Sequence, residues 1–267
     1  MPSTALTVRV TRLRLALVFG LILGAVAAAL AHTAVPQDPA YHAFADARAR
    51  FGIPNFWNVA SNLAFLPVGL WGLRSLRRAR FHEPVEARAW AVFFLGLGLV
   101  CFGSGWYHLH PDNGSLFWDR LPMTVAFMSL LSAMVSERIS VKAGAALLLP
   151  LLLLGAASVL LWRRSELSGH GDLRLYFLVQ FLPMVLIPLL MALFPRCYDR
   201  TGAFDWMVLW YVAAKLLEHW DAAVFRATGG IAGGHALKHL AAALAVAGMV
   251  PMLLKRKPLG PAPGAAA

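Results

Sequence analysis

Histidines that could share one metal ion occur in two apolar parts of the chain. His235 and His239 lie four residues apart in GGHALKHL, a spacing that places both imidazoles on one face of a helix, about 6 Å apart. The same spacing separates Ser104 from His108 in GSGWYHLH. Three histidines leave the fourth position of a tetrahedral zinc site open for water, the arrangement typical of catalytic zinc. These residues therefore predict a zinc centre that performs chemistry.

A carboxylate follows His108 closely along the chain. Asp119, in LFWDRLP, lies about one turn into the next apolar segment. If consecutive apolar segments cross a membrane in alternate directions, His108, Asp119 and the HALKH pair fall in one layer. Asp119 would then be near enough to orient the water or to take its proton.

Two further groups of polar residues interrupt apolar segments. Glu218, His219 and Asp221 in KLLEHWD could orient the metal ligands, or could form a helix-end cluster that pairs with Lys215 and Arg226. Both interpretations remain open.

Ser61 and Asn62, in WNVASNLAFLP, are more typical of hydrogen bonds between membrane helices than of catalysis. We retain them as candidates for supporting the metal ligands. Of the remaining histidines, three are predicted to lie in loops and to be solvated: His42, His82 and His170. His110 is predicted to be a loop residue beside Pro111, and His32 to mark a helix end.

Composition identifies the surroundings in which these residues act. The chain has 267 residues, of which 59% are hydrophobic and 14% charged, and its mean hydropathy is +0.64. These values exclude an ordinary soluble domain. A helix that crosses the hydrocarbon layer needs about 20 apolar residues, so we predict an all-α polytopic membrane protein with a seven-helix core and one additional N-terminal helix.

Eight apolar stretches support that count, at about 13–31, 56–73, 89–108, 116–136, 143–162, 173–194, 204–225 and 233–253. We predict an anchor helix at 1–32, an interfacial segment with a surface helix at 33–55, the core at 56–253 and a disordered tail at 254–267. The first stretch ends in AVAAALAHTA and also fits a cleaved signal peptide.

The net charge of +11 comes from short clusters of Lys and Arg beside the apolar stretches. This pattern indicates the positive-inside rule and argues against a nucleic-acid partner. It places both termini in the cytoplasm and the histidine layer toward the outer side. The two cysteines predict no disulfide framework, and no feature indicates an oligomeric state.

Four motifs together resemble the alkaline ceramidase family, within the wider group of seven-span membrane hydrolases that includes the progestin and adipoQ receptors. The motifs are PNFWNVASNLAFL, GSGWYH, DRLP and GGHALKH, and the resemblance covers about residues 54–245. It implies hydrolysis of the amide bond of ceramide-like lipids within the bilayer, giving a fatty acid and a sphingoid-type base. It also implies that zinc binds to His108, His235 and His239, that Asp119 acts on the nucleophilic water and that Ser104 stabilises the oxyanion.

One feature departs from this family. Its eukaryotic members carry an acidic calcium-binding segment that ends in a glutamate just before the FWN motif. Here Asn55 holds that place, after ADARARFGIP. The difference argues against a calcium site.

Three other functions compete with hydrolysis. A receptor could use the same zinc site to bind a lipid without turnover, although the open metal position argues against it. Histidines on facing membrane helices also bind haem in electron carriers. A transporter is disfavoured because the apolar stretches lack paired broken helices.

Overall fold

The computed structural model describes residues 4–264, and this part of the chain is helical and contains no strand. The helices are α1 (Thr4–Ala31), α2 (Phe56–Ala60), α3 (Phe65–Ser75), α4 (Glu86–Leu109), α5 (Asn113–Arg138), α6 (Val141–Leu167), α7 (Arg174–Leu193), α8 (Ala203–His219), α9 (Asp221–Ala227), α10 (Gly234–Ala247) and α11 (Met249–Lys255). The predicted all-α class is confirmed.

Five helical stretches are long and apolar enough to cross a membrane, which indicates a membrane protein. They are Arg9–Ala31, Glu86–Leu109, Val141–Leu167, Arg174–Leu193 and Gly234–Lys255. The other three predicted stretches are also helical, but they are short, interrupted or more polar. The total of seven spans plus one therefore stays a prediction.

Two of the apolar stretches are broken at prolines. Between α2 and α3 the chain tightens into a 3-10 turn at Ser61–Ala64. Pro67 follows that turn and has no N–H to donate to the carbonyl group four residues earlier. Pro251 lies just after the junction of α10 with α11 at Gly248, and it has the same effect.

Glycines bring the helices that carry the candidate residues close together. A Cβ atom at Gly103 would overlap the carbonyl oxygen of Trp118, so α4 and α5 touch one residue away from Ser104 and Asp119. A Cβ atom at Gly234 would likewise overlap the carbonyl oxygen of Leu217 in α8. Close approach at small residues is a common way for membrane helices to pack.

Two apolar clusters form the interior. The larger one joins residues of α1, α3, α4, α5, α7, α8, α10 and α11, and its most deeply buried members include Trp90, Phe94, Met134, Phe204 and Leu253. The smaller one consists of Tyr107, Leu116, Val159, Trp162, Leu173 and Tyr176, with Val35 and Phe44 packed on it. Helix α1 packs against α7 and against no other described helix.

Residues 33–55, here called the cap segment, do not form the predicted surface helix. Their only helical part is a 3-10 turn at Pro39–His42, and the prediction was wrong because the polar groups of this segment bond to other parts of the chain. Leu173 N donates to the carbonyl oxygen of Val35 at 2.8 Å, Gln37 N donates to Glu166 at 2.7 Å, and Ala45 N donates to Asp221 at 2.9 Å. The cap segment is thereby fastened across one end of the bundle.

The predicted disordered tail also differs from the structure as far as residue 264. Helix α11 continues to Lys255, and the next residue, Arg256, is buried. Leu259 N donates to the carbonyl oxygen of Cys197 at 2.8 Å, and Val141 N donates to that of Pro263 at 3.3 Å. Backbone pairing with other loops orders the tail despite its composition. Residues 1–3 of the predicted anchor and 265–267 of the tail lie outside the described part.

Candidate metal centre

The three predicted ligands meet at one point. One ligand atom from each of His108, His235 and His239 lies within 4.8 Å of those of the other two. The ring centroids are 4.9 Å apart for His108 and His235, 5.0 Å for His108 and His239 and 5.2 Å for His235 and His239. All three side chains are buried. The prediction that they could hold one metal ion is confirmed.

Ring nitrogens in this cluster are left without partners. His108 Nδ1 and His235 Nε2 are buried and have no hydrogen bond. Buried polar atoms in proteins are nearly always satisfied, so two such atoms in one cluster fit a metal ion better than a packed core. Neutral imidazole ligands suit zinc, copper, iron and nickel.

The third ligand, His239, is oriented by a residue that lies between α2 and α3. Ser61 Oγ is hydrogen bonded to His239 Nδ1 at 2.8 Å, which leaves Nε2 of that ring for a metal. The Ser61 hydroxyl lies at the start of the 3-10 turn, where the backbone tightens. Asn62 is placed differently, since its amide donates to the carbonyl oxygen of Asn58 at 2.7 Å. Of this candidate pair, Ser61 is the residue that contacts a ligand.

Asp119 and Ser104 are buried and line the same cavity as the three histidines. The Asp119 carboxyl group interacts with the Ser104 side chain. Helix α5 begins with a capping box, in which Asp112 accepts a hydrogen bond from Ser115 N at 2.7 Å. That bond holds the pKa of Asp112 below its usual range, and the cap fixes the start of the helix two turns before Asp119.

Glu218 and Asp221 turn out to do different things. Glu218 forms ion pairs with Lys215 at 2.8 Å and with Lys238. Of the two predicted alternatives, it therefore belongs to a cluster of ion pairs, in which its second partner is Lys238 and not Arg226. Asp221 accepts a hydrogen bond from His235 N at 2.9 Å, which places it at the start of the helix that carries two ligands. His219 is exposed.

The cap segment contributes residues that the sequence did not reveal. The ring of Phe44 lies 4.8 Å from that of His108 and 4.5 Å from that of His235, so it covers two ligands. His42 bonds through Nδ1 to the Tyr107 hydroxyl and through Nε2 to Asn113, both at 3.0 Å. The prediction that His42 is solvated was wrong, because the cap segment folds inward and not along a surface.

The other loop histidines divide in the same way. His82 is partly buried, and its Nε2 lies 3.1 Å from the carbonyl oxygen of Cys197, so its predicted solvation was also wrong. His170 is exposed, as predicted. His32 directly follows the end of α1 and His110 directly follows the end of α4, and both are exposed.

An apolar cavity of about 250 Å³ adjoins the centre. Aromatic and aliphatic side chains make up most of its wall, including Phe65, Leu97, Met123 and Phe127. The backbones of α7 and α8 do not approach each other closely along their described lengths, and residues of both line the cavity, among them Phe181 and Tyr211. Phe181 is 41% exposed, and its ring centre lies 5.5 Å from Lys215 Nζ of α8, so the two helices meet here through side chains.

Comparison of the chain with protein-family models, with curated proteins and with solved structures gives no match. The likeness to alkaline ceramidases therefore stays a prediction made from short motifs.

Proposed function

We propose that this protein is a zinc-dependent membrane hydrolase that cleaves the amide bond of a ceramide-like lipid. The observation that carries the proposal is the cluster of His108, His235 and His239, with two unpartnered ring nitrogens, in the wall of an apolar cavity. Asp119 and Ser104 line that cavity too. A metal bound by these histidines, together with a carboxylate and a hydroxyl at the same site, would be a set of groups able to catalyse amide hydrolysis.

The three histidines would hold the zinc ion through neutral nitrogens. When bound with an open position, zinc polarises a carbonyl group and lowers the pKa of water to about 7. Ser61 supports this role, because its hydroxyl orients the ring of His239 and such outer bonds fix the geometry of metal ligands.

Asp119 would move the proton. It takes a proton from the water whose oxygen attacks the carbonyl carbon, and it returns that proton to the nitrogen as the carbon–nitrogen bond breaks. Ser104 would turn its hydroxyl from Asp119 to the carbonyl oxygen, which becomes negative as the bond to water forms. The products are a fatty acid and an amine of the sphingoid type.

A lipid substrate is supported by the shape of the cavity. Most of its wall is apolar, and one wall residue, Phe181 on α7, is 41% exposed. Phe44 and the rest of the cap segment cover the end of the bundle beside the histidines. A molecule already dissolved in the bilayer would therefore reach the centre more readily than one arriving from water.

The proposed arrangement has a seven-span core at 56–253, with α1 as an additional span beside α7. Both termini would lie in the cytoplasm, and the metal centre would lie toward the outer side. The distribution of Lys and Arg along the chain supports this orientation.

The test uses detergent-purified protein, elemental analysis and hydrolysis of a panel of lipid amides. We expect about one zinc ion per chain and measurable hydrolysis. Asp119→Asn should keep the zinc and lose turnover by at least about 10³-fold, whereas His235→Ala should lose both. Full activity in Asp119→Asn, or absence of a bound metal, would contradict the proposal. Zinc without hydrolysis of any amide would support the lipid-binding receptor instead.

A further inference from the structure

Arg120, next to Asp119 on α5, is a buried cation without an anionic partner. Its side chain lines the cavity, and the residue is only 4% exposed. Nη2 donates to Gln37 Oε1 at 2.5 Å, while Nη1 is buried and has no hydrogen bond. Across residues 4–264, no ion pair involves this guanidinium group. The mechanism proposed above gives Arg120 no role.

The other cations of the cavity wall are already paired. Lys215 and Lys238 both bind Glu218, and Asp119 contacts Ser104. The cavity is thus lined by three cationic and two anionic side chains. The wall therefore carries one positive charge in excess, and Arg120 is the one of its three cations that forms no ion pair.

Aromatic rings explain how the cation is tolerated but not what it binds. The guanidinium carbon lies 4.2 Å from the ring centre of Trp162, 4.5 Å from that of Tyr176 and 5.9 Å from that of Tyr41. Ring faces attract a cation, but they offer no lone pair to Nη1. Buried charges are normally paired, and across residues 4–264 no carboxylate forms an ion pair with Arg120.

We infer that Arg120 binds an anionic group on the amine half of the lipid substrate, a carboxylate or a phosphate. The substrate would then be an acidic lipid amide, such as an N-acyl amino acid. This inference rests on the proposed hydrolase function and replaces a neutral ceramide-like substrate by an amide that carries an anion on its amine half. A guanidinium group matches the planar, two-oxygen geometry of such anions, and the apolar part of the cavity would take the acyl chain. Hydrolysis proceeds as before, with water adding across the carbon–nitrogen bond to release a fatty acid and an amine that bears the anion.

The test compares four amides with one acyl chain: N-acylglycine, its methyl ester, N-acylethanolamine and the phosphate monoester of N-acylethanolamine. For the wild-type protein we expect kcat/KM to be at least about 10-fold higher for one of the two acidic amides than for its neutral counterpart. Whichever acidic amide is preferred identifies the anion. Equal rates, or a preference for the neutral compounds, would overturn the inference while leaving the hydrolase proposal intact.

Variants separate recognition from a structural role. Arg120→Gln should lower kcat/KM for the preferred acidic amide by about 100-fold and change it for the neutral amides by less than about 3-fold. An equal loss for both classes would assign Arg120 to stability and overturn the inference. Gln37→Glu is a second test, which remains available if Arg120→Gln does not fold. It keeps Arg120 and places a carboxylate where the Gln37 amide now contacts it. It should raise the melting temperature and weaken acidic amides only. Arg50→Gln, which removes an exposed charge from the cap segment, is the control and should not alter the preference.

Binding provides a measurement that does not depend on turnover. The zinc-loaded Asp119→Asn protein should bind the acidic amide at least about 10-fold more tightly than the Asp119→Asn/Arg120→Gln protein does. If no amide is hydrolysed but this difference is found, the anion site stands and the hydrolase proposal fails. If the two proteins bind the acidic amide equally, the anion site fails.

Discussion

Two buried arginines lie at opposite ends of the bundle and have similar surroundings. Arg120 is 4% exposed and Arg256 is 1% exposed. Each lies near three aromatic rings, and for Arg256 these belong to Tyr198, Phe81 and Trp90, at 3.9, 5.2 and 5.5 Å. Each donates from one guanidinium nitrogen to a side-chain oxygen.

The difference lies in the charge of that oxygen. Arg256 Nη1 donates to the carboxylate of Glu137 at 2.6 Å, whereas Arg120 donates to the neutral amide of Gln37. Arg256 also has two nitrogens without hydrogen bonds, but its charge is neutralised within the chain. A second carboxylate, that of Glu86, accepts the Tyr198 hydroxyl group at 2.8 Å. The charge of Arg256 is therefore paired with a carboxylate of the chain, whereas the charge of Arg120 is not.

The largest effect is expected when Arg256 receives a neutral amide as its partner, like the one that Arg120 has. Glu137→Gln leaves a buried guanidinium group without an anion, and we expect it to lower the free energy of unfolding by about 3–5 kcal/mol. Thermal unfolding in detergent measures the loss. Zinc content of the protein that remains folded should not change.

A double variant serves as the control for that change. Glu137→Gln combined with Arg256→Met removes the uncompensated charge and should recover most of the stability. If Glu137→Gln alone is as stable as the wild-type protein, the pair does not hold this end together, and the contrast with Arg120 loses its basis.

A smaller effect is expected when the support of a metal ligand is removed. Ser61→Ala deletes the bond to His239 Nδ1 and should lower zinc affinity by about 10-fold to 100-fold, measured by competition with a chelator. Ser75→Ala is a matched control, because Ser75 Oγ donates to the carbonyl oxygen of Gly72 at 2.6 Å, within its own helix. Equal zinc affinity in the two variants would show that Ser61 does not support the site.

The smallest expected effect concerns the thiol beside the Arg256 end. Burial, together with the nearby Glu137 carboxylate, raises the pKa of Cys197 to about 12. Because the thiolate is the reactive form, labelling of Cys197 by a maleimide at pH 8 should be far slower than that of an unfolded control. Labelling should accelerate in Glu137→Gln. Rapid labelling of the native protein would show that this end is more open than the structure indicates.

Local features of the site could be predicted from the sequence because they arise within one helix. The four-residue spacing of His235 and His239 sets the relative direction of the two rings wherever the helix lies. The apolar stretches likewise predict helices, since each backbone group must find its partner within the segment in a membrane. Alternating passes then bring His108 to the same layer, which the structure confirms.

The remaining features depend on contacts between residues far apart in the chain. Ser61 and His239 are separated by 178 positions, and Glu137 and Arg256 by 119. Periodicity shows which face of a helix is apolar, but it does not show which neighbour that face meets. For this reason only the packed structure shows that Glu218 pairs with lysines whereas Asp221 bonds to the backbone at the start of α10.

The all-α class, the apolar helices and the histidines that can share a metal follow from local sequence patterns. That Phe44 covers this centre and that Arg120 has no anionic partner became visible only after the helices were packed together. Both features depend on the cap segment, whose path could not be predicted because its sequence has no apolar periodicity. Its course is set by hydrogen bonds to Glu166 and Asp221, residues whose positions are known only once the helices have packed.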